Sequence, residues 1–324
     1  MSAGEIRALL ARHGLAARRS LGQNFLVDPR RAEKLVTLAG VEPGDAVLEI
    51  GTGLGILTRA LAARGARVTT IEVDPGLQRA LRDESLLPEG VRLVEGDALA
   101  LDLAALLDEA RPPRRVVANL PYSVAAPLLR HLLDLADRLE DWSVMLQRDV
   151  AARLLAAPGT RDYGSLTVLH RLVVETRRCD ELAPGCFHPA PKVRSTFLRM
   201  LPLRPPPLAA GELARVERLV RAAFGTRRKT LANALRAAGL ADAPALLASA
   251  GLDPLVRAEA LPPDVFAALS RALSPSAFQG GAAQGGRPQD RPTRASAEGA
   301  RSEAQPSEGR QPERERSASA KVRQ

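Results

Sequence analysis

Short apolar runs rich in Val, Ile and Leu recur near residues 46–50, 67–73, 91–94, 115–119 and 142–147. Their length suits strands. Between each run and the next lies a segment long enough for a helix, so the pattern predicts strand–helix repeats and a mostly parallel sheet. Asp28 is placed to cap a helix that opens with Pro29 and stops at Gly40, because Pro presets a helical φ at the first position and Gly leaves a helix easily at its end. Two further apolar stretches near 170–178 and 194–201 have no helix predicted between them. They are expected to pair as an antiparallel hairpin at one edge of the sheet. Pro202 to Pro207 reads as a stiff boundary. Beyond it, Glu212–Phe224, Arg228–Ala238, Ala243–Ala250 and Pro263–Leu273 read as four short helices. From Ser274 to Gln324 the composition shifts to Gly, Gln, Pro, Ser, Arg and Glu, which cannot bury enough apolar surface to fold. The chain thus divides into residues 1–203, 204–273 and 274–324.

Composition narrows the class. A chain of 324 residues with 45% hydrophobic positions can fill a large core and a smaller one. The net charge of +9, carried almost wholly by arginine, points to a polyanionic partner, although a GC-rich genome also yields such an excess. Cys179 and Cys186 lack C-x-x-C spacing and the four histidines are scattered, so no metal site is expected. Free thiols fit a reducing compartment. No stretch approaches the ~20 apolar residues that span a bilayer. Met1 to Ser20 is Arg-rich like a presequence, yet Gln23-Asn24-Phe25-Leu26 follows too closely for much to be cleaved. A cytoplasmic protein whose first helix belongs to the fold is expected.

The candidate chemistry lies at the ends of the predicted strands. Val47-Leu48-Glu49-Ile50-Gly51-Thr52-Gly53-Leu54-Gly55 reads as a strand running into a nucleotide-binding loop, since glycines let a backbone turn sharply and approach a ligand. Glu72, about twenty residues on, is suited to gripping ribose hydroxyls. A dehydrogenase would use G-x-G-x-x-G; here the third glycine comes one residue early, which fits S-adenosylmethionine better. Gly96-Asp97 puts an acid after a third strand, where it can accept from an adenine amine, although Gly-Asp alone is an ordinary turn. Asn119-Leu120-Pro121-Tyr122 suits a harder task. An exocyclic adenine amine is a poor nucleophile because its lone pair is delocalised into the ring. An Asn oxygen and a carbonyl held by the following Pro can both accept from that amine, and Tyr122 offers a ring for the base to stack on. In isolation the tetrapeptide also fits a turn that ends a strand.

Together with Gln23-Asn24-Phe25-Leu26, Ile71-Glu72-Val73-Asp74, Gly96-Asp97-Ala98-Leu99 and Phe187-His188-Pro189-Ala190-Pro191-Lys192-Val193-Arg194-Ser195, these motifs stand in the order and register of the ribosomal RNA adenine dimethyltransferases. The chain resembles that family over roughly residues 15 to 273, most closely its bacterial small-subunit branch, the N6,N6-dimethyltransferases. The resemblance implies an α/β fold: a Rossmann-like, seven-stranded class I methyltransferase domain (1–203), a small C-terminal α-helical domain that contacts RNA (204–273) and a disordered tail (274–324). It implies S-adenosylmethionine as cofactor, closed over by Asn24 and Leu26, lined by Gly51 and Gly53, held at the ribose by Glu72 and at the adenine by Asp97, and bordered by Asn119. Asn119 and the Leu120 carbonyl would orient the target amine, and Tyr122 and Phe187 would sandwich its flipped base; a Phe before a proline-rich turn is equally often a core plug. Arg227, Arg228 and Lys229, read as the start of a helix where cations oppose the dipole, would meet phosphate. The implied partner is 16S ribosomal RNA in the assembling small subunit, modified at two adjacent adenines in a loop near its 3′ end by a monomer. Two alternatives remain: a large-subunit adenine methyltransferase of the antibiotic-resistance type, and a non-catalytic RNA-binding factor on the same fold. Ser123 departs from the Asn or Tyr of many relatives, which bears on substrate positioning more than on cofactor binding.

Overall fold

In the computed structural model, which describes residues 1–18, 22–226 and 228–273, the five apolar runs become β2 (Ala46–Ile50), β3 (Arg67–Glu72), β4 (Arg92–Glu95), β5 (Arg114–Asn119) and β6 (Asp141–Gln147). All five run parallel. With β7 (Val174–Leu182) and β9 (Ser195–Pro202) they form one seven-stranded sheet in the order β4-β3-β2-β5-β6-β9-β7. The chain passes from β2 outward to β3 and β4, then returns through α5 (Leu103–Asp108) to β5 on the other side of β2. That reversal opens a crevice at the carboxyl ends of β2 and β5, where ligands bind in open α/β sheets.

Side chains alternate between the two faces of each strand. Leu48, Ile50, Val116, Ala118, Trp142 and Val144 enter one core, with α6 (Ala125–Asp134), α7 (Arg148–Leu155) and α8 (Ser165–Arg171). Val47, Val117, Met145 and Phe197 enter the other, covered by α1 (Ala3–Arg12), α2 (Pro29–Leu38) and α3 (Ile56–Ala63). Asp28 caps α2 as expected, its carboxylate accepting from the Arg30 amide at 3.0 Å with Pro29 at the first position. The first core continues without a break into α9 (Glu212–Phe224), α10 (Leu231–Ala237), α11 (Ala243–Ser249) and α12 (Pro263–Ala272), through Leu219, Leu235 and Phe266.

The edge pair is antiparallel, as expected, with β9 lying between β6 and β7. Its first strand, however, starts at Val174 rather than 170. Residues 165–171 are helical because Val168, Leu169 and Leu172 are apolar at positions that share one helix face, and all three are buried. The polar Glu175-Thr176-Arg177-Arg178 run then supplies the strand, with a bulge between Arg178 and Asp180. Likewise α10 begins at Leu231, not Arg228, because Thr230 caps it, its hydroxyl accepting from the Asn233 amide at 3.4 Å. Arg228 and Lys229 therefore occupy the connecting turn instead of the first helical turn. An element that the periodicity did not reveal is a two-residue antiparallel pair, β1 (Phe25–Leu26) with β8 (Phe187–His188), in register Phe25 to His188 and Leu26 to Phe187. The expected tail, Ser274 to Gln324, lies outside the described residues. Among the described residues no helix is long and apolar enough to cross a membrane.

Candidate active site

The crevice at the switch point encloses about 930 Å3 of empty space including its open mouth. The loop after β2 forms one wall. Gly53 has φ +57, and a side chain there would press within 3.2 Å of the Phe25 ring, so both backbone conformation and space call for glycine. The amides of Gly51 and Thr52 donate to the Ile71 carbonyl at 2.9 and 3.1 Å, which bends the loop back over β3.

Glu72 closes β3 and is only 4% exposed. One carboxylate oxygen accepts from the Gly53 amide at 2.8 Å; the other accepts from the amides of Val73 and Asp74 at 3.1 and 3.0 Å. Burial raises its pKa and these amides pull it back down, with burial the stronger influence. Glu72 thus fastens the glycine loop to β3 while facing the cavity. Asp97, after β4, also lines the cavity and accepts from the Leu99 amide through Oδ1 at 2.9 Å. Asp74 is turned away: it caps α4 (Pro75–Asp83) through the Gly76 amide and accepts from Gln23 Nε2 at 2.9 Å.

The opposite wall is Asn119-Leu120-Pro121-Tyr122. Asn119 Nδ2 donates to the Asn24 main-chain carbonyl at 3.0 Å. A carbonyl can only accept, so this bond sets the amide's orientation and leaves Oδ1 as its acceptor. The Tyr122 hydroxyl lies 2.7 Å from Ser195 Oγ, and burial pushes the phenol's pKa up. Asn24 and Leu26 also line the cavity. The Asn24 side chain itself donates to the Gly22 carbonyl at 3.0 Å, so its main chain rather than its amide serves Asn119.

The structure brings together Asn24, Leu26, Gly51, Gly53, Glu72, Asp97, Asn119, Leu120 and Tyr122 around one cavity. It does not bring Phe187 into that wall. Phe187 is 3% exposed and packs in the core with Phe25 and Leu26, because its pairing with Leu26 draws it beneath the amino-terminal segment. Arg228 and Lys229 are exposed in the α9–α10 turn, away from the cavity lining; Arg227 lies outside the described residues. Among the described residues no group of three or more His, Cys, Asp or Glu could hold a metal.

Sequence reasoning passed over Glu49. It is fully buried in β2 and lines the cavity. Its Oε2 accepts from Thr58 at 2.5 Å and Thr70 at 2.8 Å, and its Oε1 has no hydrogen-bond partner among the described residues. Burial drives its pKa up to about 8, against the hydrogen bonds of both threonines. The available signal was an acid inside an otherwise apolar strand, a placement that is costly unless something pairs with it.

The donor set fits a nucleoside bearing a cationic amino-acid arm: carboxylates for hydroxyl and N–H donors, glycine backbone for close approach, and one buried, unpartnered carboxyl oxygen. The family model for ribosomal RNA adenine dimethylase matches residues 14–274. A ribosomal RNA small subunit methyltransferase A from Rhodospirillum rubrum is 47% identical over 270 residues, covering 83% of this chain and 92% of that protein. The crystal structure of a dimethyladenosine transferase from Plasmodium falciparum shares the fold with a TM-score of 0.61 at 24% identity, over 76% of this chain and 95% of that one. The 23S rRNA methyltransferase ErmE superposes with a TM-score of 0.54 at 27% identity, over 76% and 98%. The fold is that of the class I methyltransferases, with a mostly parallel seven-stranded sheet flanked by helices.

Proposed function

The chain belongs to the ribosomal RNA adenine dimethylase family, and from that premise we propose that it dimethylates N6 of two adjacent adenines in a loop near the 3′ end of 16S ribosomal RNA as the small subunit assembles. It is an rRNA adenine dimethyltransferase dependent on S-adenosylmethionine. The observation that supports transfer to an adenine amine is the orientation of Asn119, whose Nδ2 is committed to the Asn24 carbonyl, so that Oδ1 is the atom offered to a target amine.

In this reading Glu72 holds the cofactor's ribose, Asp97 its adenine, and the Gly51–Gly53 backbone and Glu49 its amino-acid end, while Asn24 and Leu26 cover it. When bound, S-adenosylmethionine supplies a methyl group on a positively charged sulfur that departs as a neutral thioether. Asn119 Oδ1 and the Leu120 carbonyl accept from the target amine's N–H bonds, which draws its lone pair out of the ring and toward the incoming carbon. The displaced proton passes to water; after the first transfer one N–H remains to be held for the second. Tyr122 stacks on the extruded base, an interaction worth about 1–3 kcal/mol that offsets the cost of unstacking it. Phe187 joins it only if the buried ring leaves the core. Arg227, Arg228 and Lys229 contact RNA phosphates from the helical region 204–273, and the protein acts as a cytoplasmic monomer without a metal.

A large-subunit target is the weaker reading, since identity is 47% to the small-subunit enzyme and 27% to the large-subunit one. The test is incubation of the purified protein with methyl-labelled S-adenosylmethionine and ribosomal subunits that lack the modification, followed by nucleoside mass spectrometry. Dimethyladenosine is expected in small-subunit RNA. Label confined to large-subunit RNA, or none in either, would overturn the reading.

A further inference from the structure

Ser195 is fully buried at the first position of β9, paired with Gln147 of β6 on one side and Leu182 of β7 on the other. Its main chain is therefore held by ladders on both flanks. Its hydroxyl lies 2.7 Å from that of Tyr122, an ordinary length for an O–H···O hydrogen bond. Tyr122, by contrast, sits in the turn between β5 and α6, where less of the backbone is fixed. An aromatic ring on such a turn has a broad χ2 well. The phenol oxygen is the side-chain atom farthest from the main chain and lies on the χ2 axis, so a bond there fixes χ1 and with it where the ring stands, while the preference of a phenol O–H for the ring plane biases χ2. Gly22 lies against the Tyr122 main chain, where an added Cβ would come within 2.9 Å of the Tyr122 amide nitrogen.

We propose that Ser195 is a positioning residue for methyl transfer: by hydrogen-bonding the Tyr122 hydroxyl it holds that ring in place and, through stacking, the target adenine against it. The proposal rests on the reading of Tyr122 as the stacking platform. A base tilted by a swinging ring carries its amine away from Asn119 Oδ1 and the Leu120 carbonyl, so the loss falls on turnover. Cofactor binding does not depend on this hydrogen bond, because Ser195 is absent from the cavity wall, the hydrogen bonds of Glu72 and the glycine loop do not involve it, and Tyr122→Phe keeps the ring that lines the cavity.

The experiment is a double-mutant cycle with small ribosomal subunits as substrate. Ser195→Ala and Tyr122→Phe should each lower kcat about tenfold with the KM for S-adenosylmethionine unchanged, and the double variant should be no worse than the poorer single one. Ser195→Thr, which keeps a hydroxyl, should recover most of the rate. Thr196→Val serves as the packing control: Thr196 is buried next to Ser195, and its hydroxyl has no partner among the described residues, so its kcat should stay within twofold of the parent. Tyr122→Phe probes the same bond without touching the strand should Ser195→Ala fold poorly. Multiplicative losses in the double variant, or Ser195→Ala and Tyr122→Phe both within twofold of the parent, would overturn the proposal. Tyr122→Ala separates it from the parent reading. If that variant is inactive while the two milder ones turn over normally, the platform stands and only the Ser195 role fails. Normal turnover by Tyr122→Ala would remove the platform itself.

Discussion

The two walls of the cavity are held by different means. On the cofactor wall, Glu72 gathers three backbone amides from Gly53, Val73 and Asp74, of which the farthest is 19 positions away. On the target wall, Asn119 and Tyr122 are each oriented by one residue far off in the chain, Asn24 at 95 positions and Ser195 at 73. A wall built from neighbouring strand ends forms once two adjacent strands pair. The target wall needs the amino-terminal segment and the antiparallel edge of the sheet to be in place as well. Cofactor binding and base positioning should therefore separate under mutation.

The largest effect is expected on the target wall. Asn119→Ala should lower kcat by about 100- to 1,000-fold, the usual loss when one preorganised group is removed from a reacting centre, while S-adenosylmethionine affinity by calorimetry changes little. Substantial turnover would mean that another acceptor holds the amine. Glu72→Ala should do the reverse. It removes a charged acceptor, worth about 1.5–3 kcal/mol per hydrogen bond, from both the ligand and the loop, so cofactor affinity should fall at least tenfold while RNA affinity in a filter-binding assay holds. Equal losses in both would show that the two walls are one cooperative unit.

A smaller effect should appear where neither wall is touched. Reversing Arg227, Arg228 and Lys229 to Glu should weaken RNA binding several-fold and flatten its salt dependence, by a slope of about 0.7 to 0.9 for each phosphate that is no longer neutralised. A slope that does not move would leave the turn a solvated surface. The smallest concerns pH. Glu49 titrates near 8 in the folded chain, above its ordinary 4.5, so its contribution to stability is complete below about pH 4.5 and is lost as pH rises toward 8. Buried His170 has the opposite sign: burial lowers it from 6.5 to about 4, so its contribution is complete above 6.5 and is lost as pH falls toward 4. Between about 4.5 and 6.5 the two oppose each other, and of the two only Glu49 still titrates from 6.5 to 8. Glu49→Gln should therefore abolish a fall of about a few degrees in thermal midpoint across that upper window. A slope that persists would place the titration elsewhere.

Strands β2 to β6 were legible within a residue or two: β2, β5 and β6 are buried along nearly their whole length, which leaves short apolar runs, and β3 and β4 keep enough Val, Leu and Ile to show against the polar segments beside them. The cofactor wall was legible for a related reason: glycines at alternate positions and acids at strand ends are side-chain signatures of a backbone that must turn and a ligand that must be gripped. The stretch near 170–178 was misread only at its start, which belongs to the end of α8, because a short apolar run serves either element and packing of α8 against α9 and α12 decided the matter. Phe187 was placed beside Tyr122 on family resemblance, yet its pairing with Leu26 takes the ring into the core. The partner that orients Asn119 is a main-chain carbonyl, which every residue carries and no pattern marks.

Periodicity and local chemistry determined which positions are buried, where the strands end and which side chains stand at those ends, since each depends on neighbours close along the chain. Only the tertiary structure decided that Ser195 meets Tyr122, that Asn24 meets Asn119 and that Glu49 keeps one oxygen unpaired among the described residues. Those pairings follow from strand order and from the path of the amino-terminal segment, both set by how the two cores pack as wholes. A hydrogen bond between residues 73 or 95 positions apart has no local period to announce it.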